Sequence, residues 1–351
     1  REIDFVKQRV SQKIGLKSSL MEFAALNKGL KVTRLNRRVI IVESDSGKQI
    51  GFTHMNGLSS SILGKRICDR KHDTRNILKK NKISVVKSQI FNSENFKEAL
   101  EFVNKIGFPI VVKPTTLSRG RGITTNIQSV EEFRLAWNKG INAYKKNRKT
   151  KELIIEKHFQ GEDYRFFVVG NKVISVTHRK RANITGDGKH TIEELVNKKN
   201  RDPLRGSDHR TPLEWIQLGE LENLMLKGQG YQMDSIPKMD EIVYLRENSN
   251  ISTGGDSIDV TDLIPDDYKK IAVDAVAALG VKICGIDLII EDTDVPATDN
   301  NAYGIIEANF NPSMYMHVYP YKGKSRRVTM HVIQYLFPEL LRNQDSQSNN
   351  Y

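Results

Sequence analysis

An aspartate stands inside the apolar run Val281-Lys-Ile-Cys-Gly-Ile-Asp287-Leu-Ile-Ile, and a polar stretch later the chain reads Ile305-Ile-Glu307-Ala-Asn309-Phe-Asn311. A carboxylate in a strand-like apolar run is costly to bury without compensation. Glu307 and Asn309 lie two residues apart and project from one face of any strand that holds them. If Asp292 to Ala302 connects an antiparallel hairpin, the simplest register sets Asp287 opposite Glu307, where like charges repel unless a cation lies between them. Three oxygen-bearing side chains suit a hard cation such as Mg²⁺. The alternative is a pair of half-buried carboxylates answered by the chain's many Lys and Arg side chains.

Other segments carry groups suited to anions. Lys113 ends the apolar run Ile110-Val-Val-Lys113 and precedes Pro114-Thr-Thr-Leu-Ser118-Arg-Gly120-Arg-Gly122. Such a loop can bring backbone N–H groups to phosphate oxygens while an ammonium neutralises their charge; an ordinary hairpin loop is the alternative. It matches neither the Walker nor the Rossmann pattern. In Ile154-Ile-Glu156-Lys157-His158-Phe-Gln-Gly161-Glu-Asp163-Tyr-Arg165, the backbone could pair with an adenine edge and Asp163 could accept from ribose hydroxyls. Read alone, the same segment is a charged linker. Arg165 and Arg179 fall on neighbouring strands of one hairpin, where guanidinium forks bind phosphate or carboxylate bidentately or form surface salt bridges.

Several chemistries are absent from the pattern. The eight histidines show neither H-E-x-x-H nor Cys/His ligand spacing, no G-x-S-x-G elbow occurs, and neither Cys68 nor Cys284 sits in a nucleophile motif. Two cysteines and no membrane-length apolar stretch lead to the expectation of a reduced, cytoplasmic protein without a disulfide framework. The net charge of +13 favours anionic partners. Its basic residues are scattered through Lys71 to Lys82, Lys145 to Lys151 and His178 to Arg181 without an RNP-type motif, so nucleic acid is not the expected partner.

The elements that position these residues follow from periodicity and turn signals. Residues 1–64 read as a small α/β unit: a helix through Ala24 to Lys28, strands Leu30 to Arg34 and Arg38 to Glu43, and a turn at Asp45-Ser-Gly47. Asp69 is the expected cap of a helix through Thr74 to Asn81, followed by a strand Ile83 to Val86 and a helix Ser93 to Ile106. Strands are expected over Gly107 to Lys113, Ile123 to Asn126 and Leu153 to Glu156, with a helix from Ser129 to Tyr144. Tyr164 to Val169 and Lys172 to Thr177 form a hairpin around Gly170-Asn171. The polar excursion Gly186 to Gly255 carries helices Thr191 to Asn200 and Glu214 to Gly228; excursions of this kind usually cover a site or carry function. Asp266 to Leu279 and Arg326 to Leu341 complete the helices, and Asn343 to Tyr351 reads as a disordered tail.

The order of these pieces is more specific than any one of them. Lys71 after Asp69-Arg, Val-Val-Lys113-Pro, a Gly-rich loop, Glu156-Lys-His with Gly161-Glu-Asp-Tyr-Arg165, and Asp287 with Glu307-Ala-Asn309 together resemble the ATP-grasp fold. Asp163-Tyr-Arg-Phe-Phe-Val-Val-Gly, Gly186-Asp-Gly-Lys-His-Thr-Ile, Asn200-Arg-Asp-Pro, Val243-Tyr-Leu-Arg246, Asn250-Ile-Ser-Thr-Gly-Gly255 and Ile258-Asp-Val-Thr-Asp262 resemble the ATP-grasp modules of cyanophycin synthetase and bifunctional glutathione synthetases. The resemblance spans about residues 65 to 335.

That resemblance implies an α+β protein in which two subdomains, residues 65–160 and 161–340, grip ATP. Lys71 and Lys113 would contact phosphates, the loop with Ser118, Gly120 and Gly122 would close over them, Glu156, Lys157 and His158 would meet adenine, and Asp163 would hold ribose. Asp287, Glu307 and Asn309 would bind two Mg²⁺ ions, with Mn²⁺ able to substitute, and Arg165 and Arg179 would stabilise the transferring phosphoryl group. The implied reaction is ATP-driven activation of a carboxylate to an acyl phosphate and its capture by an amine of an amino acid or small peptide. Glutathione synthesis, modification of a protein tail, and a nucleotide- or nucleic-acid-binding module without ligase activity are the alternatives. The chain is expected to be a stand-alone ligase or one domain of a longer enzyme, with acceptor choice in Ser207 to Gln232 or Ser313 to Tyr321; relatives of this kind often form homo-oligomers.

Overall fold

The β-branched runs form antiparallel sheets in a computed structural model that describes residues 2–57, 60–115, 117, 122–145, 149–208, 210–299 and 302–340. The expected tail at 343–351 lies outside the described residues. The chain divides into two units, Ser84–Gly161 and the combination of Arg1–Ile83 with Glu162–Tyr351.

In the smaller unit, strands Ser88–Asn92, Glu152–Lys157, Ile110–Pro114 and Thr124–Ile127 lie side by side in that order. Helices Phe96–Ile106 and Val130–Asn142 bury Ala99, Val103, Phe133 and Trp137 against Ile110, Val112, Leu153 and Ile155. Ser129 caps the second helix by accepting from the Glu132 N–H at 3.2 Å. The strand expected at Ile83 to Val86 begins instead at Ser88, although Ile83 and Val86 are buried.

The larger unit is built on a five-stranded sheet in the order Asp256–Asp259, Lys172–Lys180, Glu162–Val169, Ile283–Ile290, Tyr303–Asn309. The expected hairpin is present, with Gly170 supplying the left-handed backbone (φ +62°) of its turn. Helix Asp266–Ala278 packs on this sheet, and helices Ile62–Asp69 and Lys71–Lys80 pack against its edge strand Tyr303–Asn309. Asp69 does not cap the second of these. It ends the first, whose own cap is Ser61, accepting from Gly64 N–H at 3.1 Å.

The N-terminal residues do not form the separate α/β unit expected for 1–64. The meander Lys31–Arg34, Val39–Glu43, Gln49–Thr53 and Asn56–Gly57, with helices Glu2–Ser11 and Leu16–Leu26, shares one hydrophobic core with Phe167, Val169 and Ile283 of the large sheet and Met314, Val328 and Ile333 beyond it. One continuous core makes one unit, and the boundary accordingly falls after Ile83 rather than at residue 65. The excursion after Thr185 has a satellite core of Ile192, Val196, Ile216, Leu226 and Val243. Its helix Ile192–Asn200 opens with a capping box between Thr191 and Glu194; the second helix is shorter than expected, Glu220–Gly228. Among the described residues no helix is long and apolar enough to cross a membrane.

Candidate active site

Strand alternation assembles the site. Asp287 pairs with Arg165 on one side and Glu307 on the other, and Thr177 pairs with Arg165, so Arg179 falls beside Asp163. Asp163, Arg165, Arg179, Asp287 and Glu307 therefore share one face of the sheet. The expected opposition of Asp287 and Glu307 is present, and a register shift follows it: Leu288 pairs with Ile305, leaving Ile306 as the extra residue. Arg75 Nη2 donates to the Ile306 carbonyl at 3.1 Å, which holds this bulge at the point where the strand presents Glu307.

Both oxygens of Asp287 are taken by guanidinium groups. Arg165 donates through Nε to Oδ1 and through Nη2 to Oδ2 at 2.7 Å, and Arg179 Nη2 donates to Oδ2 at 2.7 Å. Arg179 also holds Asp163 at 2.8 Å, and Ser249 Oγ donates to Asp163 Oδ2 at 2.6 Å. Lys71 Nζ lies 2.9 Å from Glu307 Oε2, and Asn309 Nδ2 donates to Glu307 Oε1 at 3.3 Å. The carboxylates are thus paired with Lys and Arg side chains. Burial pushes Asp287 up from the usual aspartate range while Arg165 and Arg179 oppose that push. Burial acts the same way on Glu307, but Lys71 and Arg165 prevail and hold its carboxylate well below the usual range. Arg179 is raised despite its burial by Asp163 and Asp287.

The oxygen atoms of Asp287, Glu307 and the Asn309 amide are a hard donor set of the kind that would suit Mg²⁺. Among the described residues no three His, Cys, Asp or Glu side chains cluster around a metal position, so the protein offers two carboxylates and an amide there.

In the smaller unit, Lys113 and Glu156 are diagonal neighbours across two strands and join at 2.6 Å, both buried. The Lys157 N–H is given to the Lys87 carbonyl at 2.8 Å and the His158 N–H to the Pro109 carbonyl at 3.0 Å. These two backbone donors are thus taken within the smaller unit. Gly122 has φ +72°, and a Cβ there would lie 2.6 Å from Ala143 Cβ, so packing accounts for this glycine. Ser118 and Gly120 lie outside the described residues.

Sequence reasoning missed Ser249 and Arg75, whose partners are 86 and 231 residues away. Cys68 and Cys284 are buried free thiols, and Cys284 Sγ lies 3.3 Å from the Asn309 carbonyl.

Residues 69–173 match the family described as Carbamoyl-phosphate synthase L chain, ATP binding domain. The crystal structure of a bifunctional glutathione synthetase from Pasteurella multocida superposes with a TM-score of 0.73 at 39% identity, covering 93% of this chain and 44% of that one. Fold and motif order together place the chain among the ATP-grasp ligases. Within them it is similar to the Glutathione biosynthesis bifunctional protein GshAB of Enterococcus faecalis, 47% identical over 333 residues, and of Mannheimia succiniciproducens, 41% identical over 330 residues. Each match covers 93% of this chain and 43% of the relative, so the chain spans less than half the length of these proteins.

Proposed function

We propose that the chain is an ATP- and Mg²⁺-dependent carboxylate–amine ligase acting in the cytoplasm on amino acids or small peptides. The substrate carboxylate attacks the γ-phosphorus, the bond to ADP breaks, and an acyl phosphate forms. An amine then attacks the acyl carbon, phosphate leaves, and the amine proton passes to solvent or product phosphate. The observation that carries this reading is the row of alternating charge Asp163, Arg179, Asp287, Arg165 on one sheet face, flanked by Lys71 and Glu307.

Phosphoryl transfer needs positioning and charge neutralisation more than a protein nucleophile. Arg165 and Arg179 are held by buried carboxylates, so their forks are already oriented when charge builds on the transferring group. Asp287, Glu307 and Asn309 would hold the metal, two ions in this reading, with Mn²⁺ able to replace Mg²⁺. When bound, the metal neutralises phosphate charge and aligns the nucleotide. Lys71 exchanges Glu307 for a phosphate oxygen. Asp163 serves the ribose, with Ser249 fixing its orientation.

A narrower reading, addition of glycine to γ-glutamylcysteine, is favoured by similarity to the glutathione-biosynthesis proteins along 93% of the chain. Phosphate release from ATP, measured with amino acids and short peptides singly and in pairs and followed by mass spectrometry, tests both. The ligase reading expects pair-dependent release and a product one water lighter than the two substrates together. ATP binding without release in any pair, in the presence of Mg²⁺, would contradict it.

A further inference from the structure

The N-terminal meander reaches the end of the strand that carries Glu307 and Asn309. Lys17, at the second position of helix Leu16–Leu26, donates to the Asn311 carbonyl at 3.3 Å. Asn56 donates to the Phe310 carbonyl and, at 3.0 Å, to Asn311 Oδ1. These bonds fix the start of one helix and the turn before Asn56 against Phe310 and Asn311, two residues short of Ser313.

Polar groups at this junction lack the partners their burial calls for. His54 has a left-handed backbone (φ +63°), uncommon outside glycine, and its Nδ1 is buried without a hydrogen-bond partner among the described residues. The Ser313 hydroxyl is buried in the same condition. Lys17, His54 and Arg38 form no ion pair among the described residues, although Lys17 stands within electrostatic reach of His54 and Arg165. Burial pushes the Lys17 ammonium down and Arg165 pushes it further; burial, then Lys17 and Arg38, lower His54. A bound anion would reverse these trends and give the His54 imidazole and the Ser313 hydroxyl a partner.

We infer that Lys17, His54 and Ser313 form a subsite for a carboxylate of the amino-acid or peptide substrate that does not itself react. The assignment rests on the ligase reading of the neighbouring site. An ammonium, an imidazole N–H and a hydroxyl match one singly charged carboxylate. The nucleotide phosphates have Lys71 and the two arginines instead. Anchoring a remote carboxylate also serves the chemistry, because it aims the reacting end of the substrate and keeps the second carboxylate from activation.

Lys17→Met keeps the aliphatic stem and removes the charge. Glycine and γ-glutamylcysteine are titrated calorimetrically into wild type and variant with Mg²⁺ and a non-hydrolysable ATP analogue, and KM values come from phosphate release. Binding of one of the two substrates weakens at least tenfold, the KM for ATP stays within twofold, and Lys17→Arg recovers most of the loss. The analogue of that substrate with its non-reacting carboxylate amidated binds wild type and variant alike. Ser313→Ala, which removes one hydroxyl, reads the same constants should Lys17→Met lower the melting temperature. The subsite is overturned if both substrates bind wild type and variant equally, if only the ATP constant moves, or if wild type binds neither substrate. Turnover with unchanged constants removes the subsite and leaves the ligase; Lys17-dependent binding without phosphate release in any pair removes the ligase and leaves the subsite.

Discussion

Asp287 and Glu307 face each other across two strands, yet they answer differently to substitution. Asp287 is 1% exposed and holds two guanidinium groups, whereas Glu307 is partly exposed and pairs with one lysine. Asp287→Asn leaves the buried Arg165 without its counter-ion, while Arg179 keeps Asp163, and should cost about 3–5 kcal/mol of stability, read by urea unfolding. Glu307→Gln is the cleaner probe, with turnover falling about 100-fold or more at a nearly unchanged melting temperature. A Glu307→Gln variant that retains turnover would remove that carboxylate from the chemistry. His317 supplies a pH prediction. Its Nδ1 lies 2.8 Å from Ser175 Oγ and 2.9 Å from Thr177 Oγ1, and burial, with Arg165, lowers it from 6.5 to about 3. Between those values the unfolded chain takes up a proton that the folded chain refuses. Stability therefore falls as pH drops through this window, by up to about 1.4 kcal/mol per pH unit from this group. His317→Gln should flatten the profile of unfolding free energy from pH 7 to 4, and parallel profiles would count against it. The oxygen-bearing triad was legible in the sequence because a carboxylate in an apolar run demands an answer. Which cation answers it was not, since Lys71, Arg165 and Arg179 meet their carboxylates only through strand register and helix packing.

At the level of elements, periodicity located the central hairpin and the strand carrying Asp287, because alternation and a Gly-Asn turn are local signals. The bulge at Ile306 left no local mark, since it depends on Arg75 and on the partner strand. The cap at Asp69 was misplaced because Ser61 begins a short helix just before it, and Thr74 Oγ1 bonds the Ile67 carbonyl at 2.7 Å to join the two helices. Helix Glu2–Ser11 escaped notice because it buries only Val6. Gly285 shows how closely an element can constrain a site. A Cβ there would meet Pro312 Cβ at 2.7 Å and Arg165 Cδ at 2.9 Å. Gly285→Ala should displace the Arg165 stem, cost about 1–3 kcal/mol in unfolding experiments and lower turnover about tenfold or more. Unaltered kinetics would show that the position of Arg165 is not critical.

Across the whole molecule, motif order pointed to the fold while the unit boundary did not follow it. The N-terminal meander reads as self-sufficient because its own strands alternate, but its inner face is completed by Phe167, Val169 and Ile283. Deleting residues 2–57 should therefore abolish the cooperative urea transition of the larger unit and expose dye-binding apolar surface, whereas an unchanged transition would restore the separate-unit reading. The charge of +13 suits the handling of nucleotide and carboxylate substrates but selects neither. In the proposed reaction selection would fall to the charged row on the sheet and, in our inference, to Lys17 and His54. In that proposed reaction this row moves a phosphoryl group from ATP to a substrate carboxylate. The direct measurement uses an acyl-donor substrate with ¹⁸O in its carboxylate and mass analysis of the phosphate released. Transfer of one ¹⁸O into phosphate, dependent on the amine substrate and lost in Glu307→Gln, is the predicted result. Phosphate released during amide formation without the label would contradict an acyl phosphate and the account built on it.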